Sequence, residues 1–482
     1  MAIDTTKVKA QILRWKNNIA SAYTEAENKG ATMPTVRNSD NLPATIASIS
    51  SEPEEWQPRS DWYDVRAIVD ADTEEYNGKV GVLYRRVDNY DTTLIPVSTV
   101  GAVKAKTSDG YTYTTDTQHT WDTTQDKPDN VSSNYYVIYY FGGTSINRLD
   151  VYKLTQQVRN NILWVYFGGS NYSYDSIVVS NGSWKNHYSI EAITKNDNVS
   201  VGGSMTSTYG MFRDCYNLRS ILQLDTSAVT NMTSMFDNCY NLTSIPQLNT
   251  SKVTNMGSMF YGCYSLITIP QLNTSKVTNM SYMFYGCYKL QTIPQLDTSK
   301  VENMGSMFRG CYSLITISQL DTSAVMYMTS MFNNCYSLTI VPQLDTSEVT
   351  NMSSMFQNCY SLRIISQLNT SKVENMLYMF GECHSLRNIP QLDLSLITNS
   401  FNPLIPGYNE NVEVSVSFVA NTINCNVLFN PNLTVDSLLS LIAGLVDLTE
   451  QDAKTLTIGS QNIAKLTDAQ KNAITAKNWT YS

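Results

Sequence analysis

Charge is scarce in this chain of 482 residues: Asp, Glu, Lys and Arg together make up 16%, and no basic run occurs. The formal net charge is −9, so no nucleic-acid partner is expected, because affinity for phosphate needs clustered Lys and Arg. Long hydrophobic runs are missing too. No stretch of 18 apolar residues exists, so no membrane insertion is expected. The opening "MAIDTTKVKAQILRWKNNIASAYTEAENKG" lacks the apolar core of a secretory signal, and export by that route is not expected. Histidine is nearly absent: His119, His187 and His384 lie far apart, and no Ser-His-Asp or Cys-His pairing can be built from them. C-x-x-C pairs and a G-x-x-x-x-G-K-[ST] loop are also missing. The expectation is a non-enzymatic protein with no catalytic residues, no metal ligands and no cofactor. A glycosidase built on two carboxylates within 56–190 is the enzyme alternative, and nothing points to it.

What is present is apolar residues at 42%, abundant Ser, Thr and Asn, and 31 tyrosines. The length exceeds one ordinary core, so several domains or a repeat array are expected. Residues 7–29 read as an amphipathic helix, with Val8, Ile12, Trp15, Ile19, Ala22 and Ala26 on one stripe and Gly30 as its stop. Such a stripe fits a short oligomeric bundle, a trimer for instance, or a helix lying on its own domain. A second helix follows "RNSD", with Leu42, Ile46 and Ile49 on one face, and "SSEPEEWQPRSDW" reads as a linker. Residues 1–52 are thus a helical attachment or oligomerisation segment. From 56 to 190 the texture is β-rich, in "KVGVLYRRV", "TLIPVSTVGAVKAKT", "NYYVIYYFGG" and "NILWVYFGG".

From 205 to 402 a repeat takes over. "MF" recurs at Met211, Met235, Met259, Met283, Met307, Met331, Met355 and Met379, each 24 residues after the last. Fixed spacing of this kind predicts a solenoid of eight copies. Within one copy, Met280, Met283, Cys287 and Leu290 follow helical spacing, Leu290, Ile293 and Leu296 fit a short extended segment, and "DTSK" turns the chain back. Neither apolar face has a partner inside the unit, so stacking must supply it.

Eight cysteines from Cys215 to Cys383 stand at this period, with Cys425 outside it. Stacked helices would hold neighbouring cysteines about 8–10 Å apart, beyond disulfide reach, so buried free thiols are expected. Beside them runs a second column: Tyr216, Tyr240, Tyr264, Tyr288, Tyr312, Tyr336 and Tyr360, ending at His384. Exposed rings in a row can stack on sugars while their hydroxyls bond polar edges, which makes these seven tyrosines the candidate ligand-binding residues. The alternative is a ladder that packs on itself. Tyr261 and Tyr285 recur at a variable position and read as incidental. Asp225, Asp297, Asp321, Asp345 and Asp393 interchange with Asn249, Asn273 and Asn369, which suits a turn acceptor rather than a charged ligand.

The phrase "LNTSKVTNMGSMFYGCYSL" and its copies resemble the BspA-type leucine-rich repeats of bacterial surface proteins. Pro in "IPQL" departs from that pattern and removes a ladder donor, so strands should be very short. Residues 403–482 read as a capping region: Leu438, Leu439, Ile442 and Leu445 form a helix face, "KTLTIG" is a strand, and Thr467 with Gln470 opens a last helix. This tail is similar to caps of phage tail proteins, and "GATMPTVRNSDNLPATIASI" resembles their openings. The fold class expected is α+β multidomain: N-terminal helices, a β-rich middle, and a 24-residue leucine-rich-repeat solenoid with an αβα cap. The resemblance implies a phage tail fibre or receptor-binding adhesin, localised to the virion. Its partners would be other tail proteins through the N-terminal segment and a bacterial surface glycan or protein through the repeats. A structural virion component and a bacterial cell-surface adhesin are the alternatives.

Overall fold

A computed structural model describes residues 57–60, 62, 64–70, 79–85, 102–106, 112–115, 135–141, 160, 162–168, 173–174, 184–195, 197, 200–203, 205–398, 401–402, 413–428 and 432–482. The helices expected within 1–52 lie outside the described residues.

The β-rich part forms one sheet. Strands β1 (Lys79–Arg85), β2 (Ala102–Lys106), β3 (Thr112–Thr115), β4 (Tyr135–Phe141) and β5 (Ile162–Gly168) pair antiparallel in the order β3-β2-β4-β1-β5. Every residue of β5 is buried, as expected of a strand covered on both faces. Helix α1 (Val65–Asp70) packs on β1 and β5 through Val65 and Val69. Its close approach explains Gly81, where a Cβ would come within 2.4 Å of Val65 Cγ1.

The sheet does not stop there. Strand β7 (Ala192–Lys195) pairs parallel with β5, and β9 (Ser220–Ile221), already inside the repeats, pairs parallel with β7; short strands β6 (Ser173–Tyr174) and β8 (Ser200–Val201) form a separate parallel pair. The expected division, with the β-rich part ending at 190 and repeats starting at 205, therefore crosses continuous structure. The physical reason is exposure of edges: β5 supplies backbone partners for the first coil, and a stack of coils needs such a lid on its open end.

From Ser207 to Asn375 the chain is a stack of parallel coils. Bridges link Ser207, Asn231, Asn255, Asn279, Asn303, Tyr327, Asn351 and Asn375, one residue per coil. The helix expected from Met280, Met283, Cys287 and Leu290 is not there. Instead, alternate amides point in different directions. Met280, Tyr282, Phe284 and Gly286 donate to Asn303, Gly305, Met307 and Arg309 of the next coil at 2.7–3.1 Å, while Met283, Tyr285, Cys287 and Leu290 close turns onto carbonyls three residues back. Consecutive three-residue turns put residues 280, 283, 287 and 290 on the inside just as a helix would, so the apolar spacing alone does not separate the two. Left-handed φ at Tyr282 (58°) and Gly286 (73°), repeated in every coil, breaks helical continuity.

Neighbouring coils also lie closer than packed helices. Phe rings from Phe212 to Phe380 stack with centroids 5.4–6.0 Å apart, which corrects the 8–10 Å expected from helix packing. All nine cysteines are nonetheless free and buried. From Cys239 to Cys383 each repeat thiol donates to the Phe carbonyl of the preceding coil, Cys287 Sγ to Phe260 O at 3.2 Å for example. Burial raises these thiols well above the ordinary range, which keeps them protonated as donors.

Pro at positions such as Pro294 has no N–H to offer, and between β9 and Asn388 the extended segments of the described coils show only the bridge of Ile340 to Ile364. Glutamine side chains take over. Gln295 Nε2 donates to Gln319 O at 2.6 Å and to Leu296 O at 3.2 Å, and the same bonds recur from Gln223 to Gln367. In the turn, Asp297 Oδ1 accepts from the Ser299 amide and hydroxyl, and Thr298 Oγ1 donates to Asp321 O at 2.7 Å. Those serine bonds lower the Asp297 pKa.

At the far end, bridges continue the stack: Asn388 to Ser415, Leu392 to Phe418, Val414 to Leu433 and Ile423 to Leu445. Helix α2 (Val435–Gly444) buries Leu438 and Leu441 and exposes Leu439, which shifts the expected face by one step. Strands β10 (Val427–Leu428), β11 (Lys454–Thr457) and β12 (Trp479–Tyr481) form a parallel sheet. Helix α3 (Ser460–Ile463) and helix α4 (Asp468–Thr475) connect the last two, and α4 opens on the expected capping box, with both Thr467 and Gln470 bonds present.

Candidate functional site

The seven candidate tyrosines do form one continuous column. From Tyr216 to Tyr360 the ring centroids lie 4.5–4.9 Å apart and within 7° of parallel. Tyr188 extends the column at its start, 4.8 Å from Tyr216, and His384 ends it, 5.3 Å from Tyr360. Each ring face is thus covered by a neighbour, and what the column presents outward is ring edges and hydroxyls. Burial and the adjacent phenols raise Tyr240 and Tyr288 to about 12, so these two are uncharged at neutral pH.

Tyr188 belongs to a coil that sequence reading misses. Trp184 takes the Phe position, donating its amide to Met211 O and accepting the Cys215 thiol, while buried His187 takes the Cys position. The phrase "WKNHYSI" echoes "FRDCYNL", but its spacing of 28 rather than 24 residues hides it.

A second surface is a groove of about 1440 Å³ between the glutamine column and the Asx-Thr-Ser turns of the first four coils, closed at one end by Lys195 and Ser200. Most of its side-chain donors are already committed to the ladders described above.

A third feature lies beside the tyrosine column. Tyr261 and Tyr285 stack at 4.5 Å, Tyr282 is tilted against both at 6.5 and 6.1 Å, and the Arg309 guanidinium sits 5.5 Å over Tyr285. The two tyrosines read as incidental are therefore joined in a cluster, by adjacency across coils that residue-by-residue reading does not register. Among the described residues, no group of three or more His, Cys, Asp or Glu could hold a metal ion. Nor, among them, is any helix long and apolar enough to cross a membrane.

Residues 206–315 and 313–405 match the family described as "Mycoplasma protein of unknown function, DUF285". These are the residues that carry the BspA-like phrase. No curated protein matches the chain. Among solved structures, the T. pallidum leucine-rich repeat protein TpLRR is similar at 18% identity, over 38% of this chain and 86% of its own, with a TM-score of 0.27. A leucine-rich repeat protein from Eubacterium ventriosum is similar at 16% identity, over 47% of this chain and 86% of its own, with a TM-score of 0.24. Scores this low leave the fold to be judged on the coil geometry itself.

Proposed function

We propose that this chain is a non-enzymatic, adhesin-type recognition protein whose repeats form a leucine-rich-repeat solenoid presented to a bacterial surface receptor. One observation carries the reading. Every inward column of the stack is spent on packing or on ladders, whereas several outward positions, those of Tyr261, Tyr282 and Arg309 among them, differ from coil to coil, as a scaffold for recognition requires. On the finer reading, residues 1–52 attach the chain, as a trimer, to other proteins of a phage tail, residues 56–190 act as a spacer and lid, and the solenoid meets a host glycan or protein. The resemblance of the N-terminal and C-terminal phrases to phage tail proteins supports this placement. A bacterial cell-surface adhesin is the second reading, favoured by the match to a family described from Mycoplasma. Because coils and sheet share backbone bonds, the test uses the full chain. Fluorescent protein is expected to bind bacterial cells saturably and to compete with phage adsorption. Saturable binding without competition, together with detection of the chain on producing cells, selects the second reading, and binding to no bacterial surface overturns both.

A further inference from the structure

Eight coils pose one structural problem eight times, so a position filled differently in a few adjacent coils is one that the stacked backbone left free. Three such departures coincide in the coils around Tyr285. Gly262, Gly286 and Gly310 hold a left-handed position that Asn238, Asn334 and Asn358 fill in other coils. The backbone accepts asparagine there, and in those coils the asparagine side chains bond across to their neighbours, Asn238 Nδ2 to Asp214 Oδ1 at 2.9 Å for instance. In the glycine coils this layer is missing, and a strip of buried glycines runs alongside the tyrosine column: a Cβ on Gly286 would lie 3.5 Å from Tyr264 and 3.8 Å from Tyr288, so the tyrosines close over the backbone there. On the other side of the strip stand Tyr261, Tyr285 and Arg309. Tyr282 is the second departure. It adopts φ 58°, where Ser258, Ser306 and Ser330 stand in neighbouring coils, and a bulky side chain is costly in that region; it is exposed and leans on the cluster.

Charge is the third. Lys289 is exposed where other coils carry Ser or Asn, and Arg309 is half-buried against Tyr285. In the same column Arg213 is paired with Asp237 at 3.3 Å, yet among the described residues neither Lys289 nor Arg309 has a carboxylate partner. The five segments from Phe260–Leu266 to Phe356–Leu362 that build this face contain no Asp or Glu. A chain of net charge −9 thus offers two cations without a carboxylate partner among the described residues, one of them over an aromatic ring, on a face where exposed Tyr282 and the tyrosine column supply phenol groups.

We propose that this face of the coils around Tyr261, Tyr285 and Arg309 binds an acidic saccharide, a sugar chain bearing a carboxylate. Arg309 presents a planar fork that matches a carboxylate, Lys289 adds attraction, and Tyr282 together with the phenol edges meets the sugar hydroxyls and apolar faces. The proposal rests on the adhesin reading and names its ligand.

The test measures binding of the full chain to a uronate-containing oligosaccharide and to the same oligosaccharide with its carboxyl groups reduced. The parent protein is expected to prefer the acidic form by at least about tenfold and to lose that preference in high salt. Arg309→Met keeps an apolar group over Tyr285 and should bind both forms equally weakly, Arg309→Lys should recover part of the preference, and Lys372→Met, on the turn edge, should behave as the parent. Unchanged binding by Arg309→Met, or equal binding of the reduced oligosaccharide by the parent, overturns the proposal. If Arg309→Met loses no binding to bacterial cells that the parent binds, this site fails and the adhesin reading stands. Failure of the parent to bind any cell removes the adhesin reading, and the oligosaccharide comparison then decides the site by itself.

Discussion

Tyr288 sits in the middle of the tyrosine column, 4.5 Å from both Tyr264 and Tyr312, so replacing it by alanine opens two stacked pairs at once. Each such pair contributes about 0.5–1.5 kcal/mol beyond burial. The ring is itself half-buried, and losing that contact adds on the order of 1 kcal/mol. Tyr288→Ala should therefore cost about 2–4 kcal/mol, which corresponds to a fall in Tm of roughly 5–10 °C for a domain of this size. Tyr360→Ala should cost about half as much, because Tyr360 is 40% exposed and one of its neighbours is His384 at 5.3 Å and 18°. Thermal and denaturant unfolding of the full chain, followed by circular dichroism, gives both numbers. Double substitution at Tyr264 and Tyr288 should depart from additivity by more than about 0.5 kcal/mol, whereas Tyr216 with Tyr336 should add. If Tyr288→Ala unfolds within about 0.5 kcal/mol of the parent, the column does not hold the coils together and its rings are free for another purpose.

Two further outcomes follow from the ladders and from a strongly shifted carboxyl. Thr346 Oγ1 donates to Asn369 O at 2.9 Å and accepts from Asn369 N at 2.8 Å, so Thr346→Val should cost about 1–3 kcal/mol in chemical unfolding, while Thr346→Ser, which keeps the hydroxyl, should cost less. Burial raises Asp237 to about 6 in spite of Arg213 beside it. An acid raised on folding stabilises the fold below its unfolded value of 3.8, and that contribution is lost as pH rises through 6. Asp237→Asn should then be more stable than the parent at pH 7.5, by on the order of 2 kcal/mol, with the gap closing towards pH 4; a gap independent of pH between 4 and 8 would show that the carboxyl titrates normally.

The period of 24 residues was enough to predict stacked coils, since Met280, Met283, Cys287 and Leu290 have no partner within their own unit. The interchange of Asp and Asn at the turn likewise identified an acceptor rather than a charged ligand, and Asp297 accepting from Ser299 plays that part. Pro294 foretold the loss of the strand ladder, and invariant glutamine at the next position was a visible sign of what replaces it. Helix against consecutive turns was beyond sequence reading, because both place the same residues inward. Left-handed φ at Tyr282 and Gly286 and amides alternating between own and next coil decide it, and both depend on the neighbouring coil being there to accept. Distance between coils was undecidable for the same reason: helix spacing and backbone bonding give different values, and only the bonded arrangement turns the tyrosine faces upon one another. Nor could the order of residues show that Tyr261, Tyr282, Tyr285 and Arg309 form one cluster beside a strip of glycine. Those residues become neighbours only when coils stack in register, and that register is set by the buried columns, not by the exposed residues it brings together.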